Sequence, residues 1–260
     1  MSSDRKKEKN PQNLKLHQYN GQANNVLTPK LKEIADKIQN VELRQKVTEF
    51  LENPTFSLDG KLYTGPSFDV SPGGITHHHT YRGGYLEHVV ATWKIALSLC
   101  DVAEEVYGGK VDRDFVTAGV LLHDIFKPIT YTMGEDGEFS SAPLADYLDH
   151  ISLATAELVR RNFPVQLIHI VTAHYGNYGP IKPRTVEALV VHLADNVDSQ
   201  LNGQVLDAAW YLTRKATGDG ITKMNSKEAF EVVQSKAAEG WSGVEKAVEK
   251  INQKRASQKT

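Results

Sequence analysis

Histidines are concentrated in one part of this sequence: nine of the ten lie between positions 77 and 192. Apolar residues in this region recur at intervals of three and four, which places them on one face of a helix. A lone buried histidine usually finds a carbonyl or hydroxyl partner. Burying several imidazoles and carboxylates is costly, whereas a divalent cation balances both at once. The pattern predicts a helical core with a metal site, because five successive segments each carry such residues on the apolar face: His88, His123 with Asp124, His150, His174, and Asp195.

Two histidines lie apart from this pattern, and the single cysteine limits which residues could bind the metal. His169 is out of step with the apolar positions of its segment, and His17 lies in a polar stretch, so we expect both at the surface. Cys100 is the only cysteine in the chain, which excludes an intrachain disulfide, a zinc ribbon and an iron-sulfur cluster. Any metal must therefore be held by histidines and carboxylates.

Charge and hydropathy exclude two further classes of function. Thirty Lys and Arg residues against thirty-two Asp and Glu give a net charge of −2, too little to attract nucleic acid through a global field. No apolar run reaches the roughly twenty residues that a transmembrane helix needs, and no apolar stretch follows the charged N-terminal residues. We therefore expect a soluble cytoplasmic protein with no membrane association.

The chain is long for one domain, so we expect one main domain with appendages. Residues 1–25 are polar and predict a flexible arm, and residues 26–75 predict N-terminal helices and an irregular loop that pack on the core. Residues 76–202 would form the metal-binding core, and residues 203–260 C-terminal helices.

The periodicity predicts an all-α fold. Thr28 and Pro29 indicate a helix start, with one or two helices ending near Pro54. Short strands are expected near Leu62 and Phe68, and residues 129–140 predict a β-hairpin, the one convincing strand pair. The later helices are expected at 84–107, 113–126, 145–162, 164–174, 185–200, 203–216 and 226–254.

The last of these helices has its own apolar pattern. Its residues at intervals of three and four predict a continuous stripe despite Gly240 and Gly243. The stripe would either dock on the main domain, the commoner outcome, or join two subunits in a homodimer. It comprises Phe230, Val233, Ala237, Trp241, Val244, Val248 and Ile251.

The order His88, then His123-Asp124, then Asp195 resembles the H…HD…D signature of the HD-domain metal-dependent phosphohydrolases. The resemblance covers roughly residues 75–202 and rests on the strings at 78–88, 121–128 and 192–198. It implies a helical HD-domain bundle with two metal ions. One ion would be bound by His88, His123, Asp124 and Asp195, and the other by His150, His174 and a bridging Asp124.

The resemblance also implies a reaction. Imidazole and carboxylate ligands suit Fe²⁺, which we favour, as well as Mn²⁺, Co²⁺, Ni²⁺ or Zn²⁺, and a metal-activated hydroxide would attack phosphorus. Asp124 and Lys127 would be catalytic, with Lys127 also contacting the phosphate. Any of His78, His79 and His192 could protonate the leaving alkoxide.

The loop at residues 78–84 would supply residues that bind the substrate. Arg82 with Gly83-Gly84 would cradle an anion, and His78 and Tyr81 would contact the substrate. Asp198, one turn beyond Asp195, could orient a neighbouring residue, balance a charge or bind metal.

Two subgroups of the family share these strings. One is the bacterial 3′-5′ exoribonuclease type, which carries an N-terminal OB-fold that this sequence does not predict. The other is an archaeal type that resembles the dihydroneopterin 2′,3′-cyclic phosphate phosphodiesterase of tetrahydromethanopterin synthesis. We favour the second, with a small phosphorylated molecule as the substrate and RNA as the less favoured one. In that case the side chain of Tyr81, Tyr147, Tyr175 or Tyr178 could stack on the pterin ring of the substrate.

Two alternatives remain open from the sequence. The chain could be a 3′-5′ exoribonuclease or a nucleotide phosphohydrolase, or it could be a non-catalytic interaction module whose metal only stabilises the fold. The complete ligand set and Lys127 argue against the module.

Overall fold

The computed structural model describes residues 27–135 and 137–257, so the predicted arm at 1–25 lies outside the described residues. The described part contains eight α-helices and two short antiparallel strand pairs, which confirms the all-α prediction. Among these residues no helix is long and apolar enough to cross a membrane. The helices are α1 (Pro29–Ala35), α2 (Val41–Glu52), α3 (Gly84–Asp101), α4 (Arg113–Leu122), α5 (His150–Arg160), α6 (Val165–Ala173), α7 (Val186–Thr217) and α8 (Ser226–Ser257).

The two N-terminal helices begin at side-chain caps. The Thr28 hydroxyl accepts a hydrogen bond from the Leu31 amide at 3.4 Å, and Pro29 occupies the first turn of α1. The carboxylate of Asp114 accepts hydrogen bonds from the amides of Gln39 and Asn40 at 2.8 and 2.7 Å. These bonds tie the connection between α1 and α2 to the start of α4.

Both strand pairs are short hairpins. β1 (Phe56–Leu58) pairs with β2 (Lys61–Tyr63), and β3 (Tyr131–Met133) pairs with β4 (Phe139–Ser141). The expectation of a single strand pair was therefore wrong. The strand expected near Phe68 does not form: the residue lies in a turn, and its buried ring stacks on Tyr85 with 4.9 Å between ring centroids.

The core lies where α4 packs against α3, α6 and α7. Gly119 makes the approach of α4 possible, since a Cβ there would stand 2.5 Å from Ile170 of α6. Close contact at this point brings together the ends of the helices that carry the histidines. The largest side chains in this core with almost no exposed surface are Tyr85, Phe50, Phe126, Leu31, Ile38, Leu51, Leu121, Leu122, Ile125, Leu153, Leu158 and Leu167.

Three predicted helix boundaries were wrong. Asp149 caps α5 by accepting a hydrogen bond from the Ser152 amide at 2.7 Å, so this helix begins at His150 rather than at 145. α4 ends at Leu122, before the predicted 126. The helices expected at 185–200 and 203–216 are one helix, α7. Gly203 lies inside this helix and does not end it. The His77 carbonyl oxygen packs closely against Gly203, because a Cβ atom there would lie only 3.1 Å from that oxygen.

The stripe predicted along the last helix is not continuous. Gly240 has φ 70° and ψ −146°, which a helix does not allow, and the chain turns back there. Lys250 consequently reaches Glu231 at 2.6 Å. Phe230, Ala237 and Trp241 of the predicted stripe are exposed. The two halves of α8 pack on α7 through Val244, Val248 and Ile251 of the predicted stripe, and also through Ala229, Val232 and Ala247. The apolar face therefore docks within the chain.

Candidate metal centre

Three of the predicted ligands meet where α3, α4 and α7 converge. His88 lies in α3, His123 directly follows α4, and Asp195 lies in α7. The Nε2 atom of His88 is 3.2 Å from Nε2 of His123 and 3.3 Å from Oδ1 of Asp195. Ligand atoms this close in a buried position could hold one metal ion.

A second group forms beside the first from Asp124, His150 and His174. His150 is the first residue of α5, and His174 directly follows α6. Their Nε2 atoms lie 3.2 and 3.7 Å from Oδ1 of Asp124. This group could hold a metal ion as well.

Asp124 joins the two groups, because each of its carboxylate oxygens faces a different one. Its Oδ2 lies 3.3 Å from Nε2 of both His88 and His123, while its Oδ1 faces His150 and His174. A carboxylate with this orientation can bridge two cations.

The polar atoms at this centre fit divalent cations better than protein partners. Both carboxylate oxygens of Asp124 and the Nε2 atoms of His150 and His174 are buried, and among the described residues these four atoms face only Lys127 and the ligand groups themselves. The Nδ1 atoms of His123 and His174 contact backbone carbonyls at 2.7 and 2.6 Å. Nδ1 therefore donates, and the Nε2 lone pair is left for a cation.

Lys127 is the one lysine or arginine among the described residues that pairs with a ligand carboxylate of this centre. Its Nζ lies 2.6 Å from Oδ2 of Asp124, and the side chain is buried. Burial alone would raise the pKa of Asp124, but the Lys127 ammonium and the adjacent His123 hold that pKa well below its usual range. Burial, with the neighbouring His123, lowers the pKa of His174 to about 3. The carboxylate is therefore ionised and His174 is neutral, as metal ligation requires.

Comparison with known proteins agrees with this geometry. The model of the HD domain family matches residues 85–200. The dihydroneopterin 2′,3′-cyclic phosphate phosphodiesterase of Methanocaldococcus jannaschii is 47% identical over 173 residues, which cover 66% of this chain and 69% of that protein. The chain belongs to the HD domain family. The family prediction made from the sequence is thus confirmed.

More distant relatives of this HD domain protein are bacterial. The 3′-5′ exoribonuclease YhaM of Bacillus licheniformis is 30% identical over 155 residues, which cover 53% of this chain and 45% of that protein. The YhaM protein of Bacillus subtilis is 29% identical over 148 residues, covering 50% of this chain and 43% of that protein. The comparison with solved structures gave no match.

Two neighbouring histidines, His78 and His79, precede the matched HD domain in sequence and lie at the edge of the first ligand group. Their ring centroids are 5.1 and 5.3 Å from that of His88, and the three rings form a third set of candidate ligands. His79 adopts a left-handed backbone conformation, and its amide donates to Oδ1 of Asn202 at 2.6 Å. Burial lowers the pKa of His78 to about 3 and that of His79 to about 2, so both rings are neutral at neutral pH.

His192, the third predicted proton donor, is not brought together with the ligand atoms. Its Nδ1 lies 2.6 Å from the carbonyl oxygen of His174, and Asn196 contacts the same ring. Gly176 packs directly on it, because a Cβ at that glycine would stand 2.3 Å from the imidazole. The ring supports the backbone behind the second ligand group of the HD domain.

The predicted anion cradle at Gly83-Gly84 does not form. The amide of Gly83 donates to the Val70 carbonyl at 3.1 Å and that of Gly84 to the Tyr81 carbonyl at 2.9 Å, so neither is available to a phosphate. The Arg82 side chain is exposed at the rim of a cavity of about 350 Å³ that it shares with Phe139 and Lys223.

The four tyrosines considered for stacking occupy different environments. Tyr81 is buried, and its hydroxyl contacts Glu87 and Ser226, so it belongs to an internal network. Tyr147 and Tyr178 are exposed. Tyr175 is half-buried against His174, with 4.5 Å between ring centroids, and it is the one of the four that lines the metal centre.

Two residues of α7 complete the surroundings of the HD centre. Asp198 contacts His88, and Asn202 holds the His79 backbone and donates to Tyr81 and Ser226. The sequence left the role of Asp198 open and gave no role to Asn202. Their offsets of three and seven residues from Asp195 place both on the same helix face, which is the signal that could have identified Asn202. Elsewhere, His169 accepts a hydrogen bond from the Arg184 amide at 3.0 Å, in an exposed contact.

Proposed function

We propose that this chain is a metal-dependent phosphodiesterase that opens the 2′,3′-cyclic phosphate of dihydroneopterin to a monophosphate. The observation that carries this proposal is the Asp124 carboxylate, which lies buried between two ligand groups and turns one oxygen towards each of them. The 47% identity to the cyclic phosphodiesterase of Methanocaldococcus jannaschii supports the choice of substrate.

Two divalent ions would be held at this centre, and Fe²⁺ is the metal we favour. His88, His123 and Asp195 would hold one ion, His150 and His174 the other, and Asp124 would contact both. Bound ions of this kind supply Lewis acidity and make hydroxide available near neutral pH. The absence of a thiolate from the ligand set fits Fe²⁺, Mn²⁺, Co²⁺, Ni²⁺ or Zn²⁺.

The side chains around the ligands have separate tasks in this proposal. The buried ammonium of Lys127 would stabilise charge on the phosphoryl oxygens. His78 or His79 would donate a ring N–H hydrogen bond to the departing alkoxide oxygen, because both rings adjoin His88, and the proton that this oxygen takes up would come from water. Tyr175 would contact the substrate, since it lines the centre beside His174 and His150.

Anaerobic turnover tests the proposal. Purified protein supplied with Fe²⁺ is expected to convert dihydroneopterin 2′,3′-cyclic phosphate to the monophosphate, followed by chromatography. Lys127→Met is expected to bind metal but to lower kcat by about 10²-fold, the cost of removing one group that stabilises transition-state charge. Shortening of RNA without opening of the cyclic ester would contradict the proposed substrate.

A 3′-5′ exoribonuclease is the second candidate, and the YhaM relatives favour it over other phosphohydrolases. Their identity of about 30% and the coverage of less than half of their length make it the weaker choice. A non-catalytic metal-stabilised module would bind the ions and fold normally but turn over neither substrate. The same assay therefore separates all three functions.

A further inference from the structure

An apolar stripe lies exposed along the outer face of α7. Its five side chains are between 41% and 54% exposed, although all are leucine or valine. We call it the α7 stripe, and it consists of Val186, Leu189, Leu193, Val197 and Leu201. The opposite face of the same helix carries Asp195 and Asp198 towards the metal centre.

Beyond Glu187 in its first turn, α7 adds no exposed acidic or basic side chain beside the stripe until Asp207. From residue 188 to 206 the only acidic or basic side chains, apart from the half-buried His192, are Asp195 and Asp198, and both are buried. The polar residues that flank the stripe in the open are Gln200 and Gln204. Nineteen helical residues span about 28 Å. A helix that faces solvent over this length ordinarily carries charged residues on its outer face.

The spacing of the stripe suits packing against another helix. Leu189, Leu193, Val197 and Leu201 are each four residues apart and form one continuous ridge. Such ridges pack into the grooves of an identical helix with a crossing angle near −50°. A groove of about 200 Å³ lies beside the C-terminal part of the ridge, between α7 and α8, and it is lined by Gln200, Leu201, Gln204, Val205, Ala208 and Val233.

We propose that the α7 stripe is the interface of a homodimer, in which two copies of α7 cross at a two-fold axis. An uncharged face is self-complementary, because pairing it with itself brings no like charges together. It offers nothing to a partner that would be recognised by charge. The continuous apolar face of α8 is already covered by α7, and its exposed Phe230 and Trp241 are isolated, so the stripe on α7 is the surface that we assign to a second copy.

The size of the stripe sets the strength of this dimer. The stripe runs over the sixteen residues from Val186 to Leu201, about 24 Å, and at a width of about 10 Å it supplies on the order of 240 Å². A standard interface buries about 800 Å² per partner, so surface beside the stripe on α7 and α8 must contribute the rest. We therefore expect a dissociation constant in the micromolar range.

Sedimentation equilibrium of the full chain at high micromolar concentration tests the proposal. We expect a mass of roughly twice 28.9 kDa. The double variant Leu193→Glu with Leu201→Glu is expected to be monomeric, with a dissociation constant raised at least about 100-fold, because like charges would face each other across the axis. Val41→Glu is the matched control, since Val41 is an apolar residue of α2 with 65% exposure away from the stripe.

A cross-linking measurement gives an independent readout that does not depend on a charge substitution. Val197→Cys would place a thiol near the two-fold axis, and mild oxidation should produce a covalent dimer on non-reducing gels. The native Cys100 is buried and does not interfere. Val41→Cys should remain uncross-linked. A wild-type monomer at high micromolar concentration, or a dimer that survives the double glutamate substitution, would overturn the proposal.

Discussion

Oδ2 of Asp198 lies 2.6 Å from Nδ1 of His88, and this contact directs the other ring nitrogen of His88 at the metal centre. Nε2 of His88 then stands 3.3 Å from the carboxylates of Asp124 and Asp195. An aspartate behind a ligating histidine fixes its orientation and makes it a better donor. The sequence left open whether Asp198 binds metal, and the contact favours the orienting role.

Replacing this aspartate should weaken metal binding without unfolding the protein. For Asp198→Ala we expect a loss of about 10- to 100-fold in affinity at the His88 site, the usual cost of removing such an outer contact. Titration calorimetry with Mn²⁺ measures the change. Asp207→Ala is the control, because Asp207 is an exposed acidic residue of the same helix. Equal losses in both variants would mean that Asp198 acts only through overall charge.

Removing the carboxylate shared by both ligand groups should have a larger effect. For Asp124→Asn we expect neither group to retain its metal after anaerobic loading and dialysis, measured by elemental analysis, and turnover to fall by orders of magnitude. Retention of two ions per chain in this variant would refute the bridging role of Asp124.

The same substitution should destabilise the metal-free protein, because it leaves the Lys127 ammonium buried beside a neutral side chain. Breaking a buried pair in this way costs about 3–5 kcal/mol of unfolding free energy. The double variant Asp124→Asn with Lys127→Met should recover most of that stability in urea unfolding but still bind no metal. If it remains as unstable as the single variant, the cost does not come from the unpaired lysine.

Metal should stabilise the wild-type fold through mass action. At a free ion concentration 100 times the dissociation constant, one bound ion adds about 2.7 kcal/mol. We expect Tm to rise on addition of Mn²⁺ and to fall again with a chelator in thermal unfolding. Asp124→Asn should show no such rise, and a rise of equal size in that variant would place the binding elsewhere.

Gly119 should not tolerate a larger side chain. In Gly119→Ala the new Cβ would lie 2.5 Å from Cγ2 of Ile170, forcing α4 and α6 apart. Overpacking of this kind costs about 1–3 kcal/mol, measured by urea unfolding. Ser98→Ala, at an exposed position of α3, is the control and should change stability little. Unchanged stability in Gly119→Ala would mean that the helices can separate freely.

Cys100 should be unreactive in the folded protein. The thiol is buried, and burial raises its pKa to about 11, so the thiolate is scarce at pH 8. We expect slow labelling by a disulfide reagent under native conditions and rapid labelling in urea. Fast native labelling would indicate local opening of the end of α3.

The sequence by itself determined the fold class and which residues face the interior. Helical periodicity is local, so the apolar neighbours of His88, His123, His150 and His174 sufficed to place each on a buried face. The metal-ligand chemistry followed from their types and from the presence of a single cysteine. Helix caps are also local signals. Thr28 predicted the start of α1 correctly, whereas the equivalent signal at Asp149 was overlooked and the start of α5 was placed at 145.

Only the tertiary structure decided what each of these residues meets. Periodicity gives the face of a helix but not the direction of a carboxylate within the space between helices. The position of Asp124 between two ligand groups and that of Asp198 behind His88 therefore required the packed structure. The turn at Gly240 depends on a backbone conformation, and the exposure of the α7 stripe depends on which neighbouring elements leave that face uncovered. Both are consequences of packing between distant segments, which local spacing does not encode.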